Sequence, residues 1–344
     1  MKKRHINLPI FIPHLGCPNA CVFCNQRSIS GKTDYAREKV ADELEKAFRT
    51  VDPARDEVEI AFFGGSFTGI DRGEMLYLLA LTKPYLESGQ AVGIRLSTRP
   101  DYIDGEILSI LSSYGVTDIE LGIQSMDDGV LRLSGRGHTA EQSEKACRMI
   151  KAAGFRLVGQ MMIGLPGSDG EKEKMTAKKL IALACDGVRV YPTVVFAGTE
   201  LARMYAAGEY EPLTAETALE RTVGVVRLFK DAGIPILRIG LCAAENLSDE
   251  EQVLAGGYHS AFGELVIGEL YYLNIKERLL SMKETLEGKT LMINVPRGDE
   301  SKAAGQQKRN KRRLTEEFGF SRILIKGDAG LSPDEMELHL IREK

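Results

Sequence analysis

The 344-residue sequence has no tryptophan, almost no net charge, no long apolar run and only six cysteines. Each scarcity removes a class of protein. The 45 basic and 49 acidic residues leave a net charge of −4, so no global field recruits nucleic acid and any basic surface must be local. No apolar run approaches the length of a bilayer-spanning helix, and the start MKKRHINLPIF reaches a proline too soon for a signal peptide. The expectation is a cytoplasmic protein with no membrane partner. Six cysteines are too few for a disulfide scaffold. Three of them fall within eight residues, which suggests metal binding, whereas Cys147 and Cys185 sit among apolar neighbours in helical stretches and read as packing groups.

What is present is an alternation. Short runs rich in branched residues (INLPIFIP, EVEIAFFGG, VGIRLST, DIELGIQ, RLVGQMMIG, GVRVYP and ILRIGL) are mostly separated by longer helical patterns. Strands alternating with helices indicate parallel pairing, and the α/β class expected is a partial barrel. In such folds the site forms at the carboxyl ends of the strands, which here carry GCPNAC, GGSFTG, STRPDY, QSMDD, GLPGS and YPT. Beyond residue 241 the pattern changes. Residues 1–241 are expected to form the core and 242–344 a small mixed α/β appendage, with strands LYYLNIK, LMINVP, RILIKGD and MELHLI around a basic helical segment.

Cys17, Cys21 and Cys24 have the spacing CxxxCxxC in a loop directly after the first strand. Three thiolates so placed can each take one corner of an iron–sulfur cubane, leaving one iron open to a small molecule. Zinc held by these cysteines and His14 is an alternative, as is a cluster that only carries electrons or senses redox state.

With Phe23 just before its last cysteine, this loop resembles the signature of the radical SAM family. The resemblance implies a (β/α)6-type partial barrel, a [4Fe–4S] cluster on Cys17, Cys21 and Cys24, and S-adenosylmethionine as the second cofactor. It also implies Phe23 beside the adenine, and Gly64, Gly65 and Ser66 on the methionyl amino group, although a Gly-Gly pair alone is equally consistent with a tight turn. The runs STRPDYI, IELGIQSMDDGVLRLSGRGHT, AGFRLVGQMMIGLPGS, VRVYPTVVFAGTEL and GGYHSAFGELV resemble, more narrowly, the radical SAM core of the Elongator catalytic subunit family over residues 8–270. That family modifies wobble uridine in tRNA, with acetyl-CoA as carbon donor. Carried over by motif, Gln124 and Ser125 contact S-adenosylmethionine, with Ser97, Arg136 and the backbone at Gly164 as further candidates.

The family's amino-terminal RNA-binding extension and its acetyltransferase domain have no counterpart in this sequence. Arg189 stands where lysine is expected before Tyr191, and it reads either as a substrate contact or as a salt-bridged barrel residue. Cys242, Tyr258 and His259 are further substrate candidates. Asp101 is weighed as a helix cap, Thr139 as the cap of the next helix, and His138 as a brace of that turn. Lys302, Lys308, Arg309, Lys311, Arg312 and Arg313 form a basic run that reads as a solvated face or as an RNA contact. The expected function is reductive cleavage of S-adenosylmethionine for modification of a tRNA base, with an electron donor such as flavodoxin or ferredoxin. A small metabolite or porphyrin-like substrate is the alternative.

Overall fold

The computed structural model describes residues 3–12, 15–17, 21–24, 35–241 and 252–341. All seven runs expected to be strands of the core are strands: β1 (Arg4–Phe11), β2 (Asp56–Phe63), β3 (Gly93–Thr98), β4 (Val116–Gln124), β5 (Arg156–Ile163), β6 (Gly187–Pro192) and, after the short β7 (Val194–Phe196), β8 (Ile236–Ile239). They form one sheet in the order β1-β2-β3-β4-β5-β6-β8, every pair parallel. The sheet is curled. The Arg189 guanidinium on β6 lies 5.7 Å from the centre of the Phe63 ring on β2. Four strand spacings in a flat sheet would separate those strands by about 19 Å, further than an arginine reaches. The fold is thus a partial barrel.

Alternation along the strands separates its two faces. On β4, Ile119, Leu121 and Ile123 are fully buried, as are residues such as Leu111 and Ile150 of the flanking helices Gly105–Ser113 and Ala140–Ala152. The intervening Asp118, Glu120 and Gly122 share the opposite face, which is the barrel interior. That interior is polar. Arg95 pairs with Glu59 and with Asp118 at 2.8 Å, and Arg189 pairs with Glu120 at 2.7 Å. Of the two helix caps weighed in the sequence, one is present. Thr139 caps Ala140–Ala152 in a capping box with Gln142, as expected. The helix Gly105–Ser113, however, is capped by Asp104 and not by Asp101, whose carboxylate is taken by Arg99. Cys147 and Cys185 are buried, and burial raises both thiols, Cys185 to about 12.

The chain divides into two compact units, Met1–Ser260 and Ala261–Lys344. Residues 253–256, beyond the point where the appendage was expected to begin, form β9 (Val253–Gly256) and pair antiparallel with β7 of the first unit. In the second unit, β10 (Thr290–Pro296) lies between β11 (Arg322–Asp328), parallel, and β12 (Glu337–Ile341), antiparallel. The run LYYLNIK is not a strand. It belongs to the helix Phe262–Leu280, because the buried Phe262, Val266 and Leu270, and then Ile275 and Leu279, recur at four-residue spacing and form a helical stripe. The basic segment is not one helix either. It breaks into Glu300–Ala304 and Arg309–Phe318 around Gly305, with Gln307 and Lys308 at positive φ. No helix among the described residues is long and apolar enough to cross a membrane.

Candidate functional site

At the carboxyl end of the sheet the cysteine loop and the GGS loop interlock through backbone. Ser66 N–H donates to Leu15 O at 3.0 Å. A Cβ on Gly65 would lie 2.3 Å from that same oxygen, and a Cβ on Gly16 2.2 Å from Ser66 O. Neither obstacle is a flexible side chain, so both positions demand glycine, and Gly16 also has φ +72°. Gly64 adopts φ +102° at the strand's end. The Ser66 hydroxyl is buried and already engaged, 3.0 Å from Thr98 Oγ1 and accepting from Arg99 N–H at 3.2 Å. The glycines of GGS therefore have a packing requirement of their own, whatever they hold.

Two buried arginines stand beside the thiols. Arg99 forms a bidentate pair with Asp101, at 2.9 and 3.0 Å, and donates to the carbonyl of Arg136. Arg136 in turn donates to the carbonyl of Gly122 and, from Nη1, to Cys21 Sγ at 3.1 Å. A Cβ on Gly122 would lie 3.2 Å from Gln124 Nε2 and 3.3 Å from the Arg136 guanidinium, so glycine leaves both side chains room at this point. Cys17 is accessible on one side and crowded on the other. The crowding raises its thiol and Cys21 adds to this, while Arg99 and Arg136 pull it back down. Arg99 Nη1 and Arg136 Nε are buried with no hydrogen-bond partner. His138 is buried behind them with neither ring nitrogen paired, and burial, reinforced by the Arg136 charge, pushes its pKa down to about 4.

The β4 end supplies Gln124, a non-glycine residue at φ +68°, with a buried and unpartnered Oε1. Such strain persists only where surrounding contacts enforce it. Ser125 accepts from Asp127 N–H at 3.2 Å, and Ser97 is half-buried on β3. Beyond β5, Gly164 at φ +81° is held from both sides. Its N–H donates to buried Glu173 at 2.6 Å, and its carbonyl accepts from Tyr210 at 2.7 Å. Glu173 also pairs with Arg221. A cavity of about 210 Å³ opens beside this loop, bordered by Leu165, Pro166, Met204, Tyr210 and Leu213.

Phe23 packs against Val22, Val195, Leu201 and Tyr210, and is only partly buried. Tyr258, like Leu241 and Val253, packs against Val194 and Phe196 beside the β7–β9 pair, and neighbouring His259 is half-buried. Cys242 and His14 lie outside the described residues. Arg189 is salt-bridged to Glu120 at 2.7 Å. Sequence reasoning missed Arg99 as the residue that organises the loops, although it stands inside the STRPDYI run already singled out.

This set fits an anionic iron–sulfur cluster. Three cysteines come from one loop, and buried guanidinium donors without partners adjoin two of them, Cys17 and Cys21. A cubane takes each thiolate at a separate corner.

Comparison with known proteins agrees. A model of the radical SAM superfamily matches residues 11–180, and one of the radical SAM C-terminal domain matches residues 185–272. An uncharacterized protein of Methanocaldococcus jannaschii is 31% identical over 223 residues, covering 62% of this chain and 68% of that protein. The chain belongs to the radical SAM superfamily. It is accordingly an enzyme, and its cofactors are a [4Fe–4S] cluster and S-adenosylmethionine.

Within the superfamily it is similar to the tRNA uridine(34) acetyltransferase of Methanocaldococcus jannaschii, 36% identical over 134 residues, or 38% of this chain and 25% of that protein. The solved Elp3 of Methanocaldococcus infernus, with an N-terminal deletion, shares the fold at a TM-score of 0.60 and 21% identity, covering 82% of this chain and 65% of that one. The radical SAM core thus resembles that of Elongator-type proteins, and the chain spans about a quarter of the tRNA acetyltransferase it matches.

Proposed function

We propose that this enzyme modifies a base of RNA, most specifically of tRNA, by abstracting a hydrogen atom at the mouth of the partial barrel. The observation that carries this reading is the similarity to tRNA uridine(34) acetyltransferases, 36% identical over 134 residues. Bound together and reduced by a donor such as flavodoxin or ferredoxin, the cluster and S-adenosylmethionine supply a 5′-deoxyadenosyl radical. The chain's own residues then have distinct tasks. Cys17, Cys21 and Cys24 hold the cluster, and Arg136 and Arg99 place positive charge against it. The backbone at Gly64 and Gly65, with Ser97, Gln124, Ser125 and the Gly164 loop, would hold S-adenosylmethionine, with Phe23 on the side of its adenine. The curled sheet keeps reacting atoms close and water out.

In the second unit, Lys308, Arg309 and Arg312 are exposed and offer a local surface for phosphate. Arg313 is not part of it, since its guanidinium pairs with Glu269 at 2.5 and 3.0 Å and stacks on Tyr272 at 3.5 Å. Two measurements test the reading. Mass spectrometry of nucleosides from cells lacking the protein should reveal one missing tRNA modification, and an unchanged profile would refute the tRNA assignment. Replacing Lys308, Arg309 and Arg312 with glutamine should weaken tRNA binding and flatten its log–log salt dependence by about 2–3. A parent protein without tRNA affinity at low salt would direct the search to a small metabolite.

A further inference from the structure

The interior of the partial barrel is electrically lopsided. Toward the amino ends of the strands Arg95 serves both Glu59 and Asp118, so carboxylates dominate there. Toward the carboxyl ends the balance reverses. Arg189 on β6 and Arg238 on β8 are register partners in adjacent parallel strands and therefore point to the same face. Glu120 accepts Arg189 at 2.7 Å and Gln160 at 2.9 Å. Arg238 has only the carbonyl of Gly240, which accepts from its Nε at 3.0 Å, and no ion pair reaches it among the described residues. Arg189 Nε is likewise buried without a partner.

Like charges directly opposite each other on neighbouring strands repel, and Glu120 neutralises Arg189 alone, so an anion between or above the pair would relieve the repulsion. The position of this pair is informative. Through Gln160, the register partner of both Arg189 and Gly122, it lies level with the carbonyl that holds Arg136, and Arg136 touches Cys21. Tyr191, two residues further along β6 on the same face, adds a hydroxyl toward the mouth, and the Phe63 ring, 5.7 Å from the Arg189 guanidinium, is an apolar neighbour.

We propose that Arg238, with Arg189 and Tyr191, binds a phosphate or carboxylate group of the substrate and so fixes which carbon faces the radical. The inference rests on the mouth of the barrel being the reaction site, and its test separates the two possible sources of the anion. Full-length protein reconstituted with cluster and S-adenosylmethionine would be titrated calorimetrically with uridine, uridine 5′-monophosphate and succinate. At least one oxyanion should bind about tenfold more tightly than uridine, as expected for charge-assisted contacts. That preference should vanish in Arg238→Gln and partly survive in Arg238→Lys. If Arg238→Gln melts early, Tyr191→Phe reads the same preference with less disturbance.

A preference for the nucleotide supports a phosphate of RNA. Preference for succinate alone keeps the anion site and overturns the RNA reading. Equal affinity for all three probes, or a preference undiminished in Arg238→Gln and Tyr191→Phe, overturns the anion site even if tRNA proves to be the substrate.

Discussion

Replacing Gly65 with alanine tests whether the cluster loop is positioned by backbone interlock. The added methyl would lie 2.3 Å from Leu15 O and 2.7 Å from Ile12 O. An ordinary carbon–oxygen contact needs about 3.3 Å, so one of the two loops has to retreat by about 1 Å, at a cost of about 1–3 kcal/mol for overpacking. The retreating segment ends two residues before Cys17. A ligand displaced by that distance leaves its corner of the cluster, so the larger consequence is iron loss.

The assay is iron per protein after anaerobic reconstitution, alongside the melting temperature. Gly105→Ala is the control, because its Cβ meets nothing within 4 Å and its backbone is helical. Gly65→Ala should lose most of its iron and melt earlier, while Gly105→Ala keeps its full complement. A Gly65→Ala protein with parental iron content and melting point would refute the interlock.

Three further outcomes are expected. His138 sits at about 4 in the folded chain, below its unfolded value, so unfolded chains bind the extra proton first and stability falls with acidification. Between pH 7 and pH 5 this should remove about 2 kcal/mol, and urea titrations of His138→Gln should show a flatter pH dependence over that window. Glu173→Ala strands the Arg221 charge and the Gly164 N–H together, and should cost about 3–5 kcal/mol in denaturant unfolding, with Glu173→Gln losing less. Cys147→Ala and Cys185→Ala should keep full iron content, since both thiols are buried packing groups, and iron loss in either would reassign the ligands.

The strands of the barrel were legible because each is a short branched run bounded by glycine or polar turns, and because helical patterns of sufficient length separate most of them. LYYLNIK misled for a related reason: its aromatic and branched residues favour a strand locally, but the buried stripe that decides the matter extends over the whole of Phe262–Leu280. The cysteine loop was legible from spacing alone. Its supporting residues were legible only in part: Arg136 stood out as a cofactor contact, but its bonds to Cys21 and to the Gly122 carbonyl did not. Arg99 and Arg136 are far apart in sequence and meet only through the curled sheet, and nothing local to Arg189 or Arg238 indicates that they are register partners. Asp101 was weighed as a cap because caps are local, whereas its bond to Arg99 depends on how the loop turns.

The most direct test of the central claim is the yield of 5′-deoxyadenosine from S-adenosylmethionine when the reconstituted protein is reduced with dithionite. The parent should form 5′-deoxyadenosine, and each of Cys17→Ala, Cys21→Ala and Cys24→Ala should lose that activity together with the cluster. A parent that carries four irons yet forms no 5′-deoxyadenosine, or a Cys17→Ala variant that forms it at the parental rate, would contradict it.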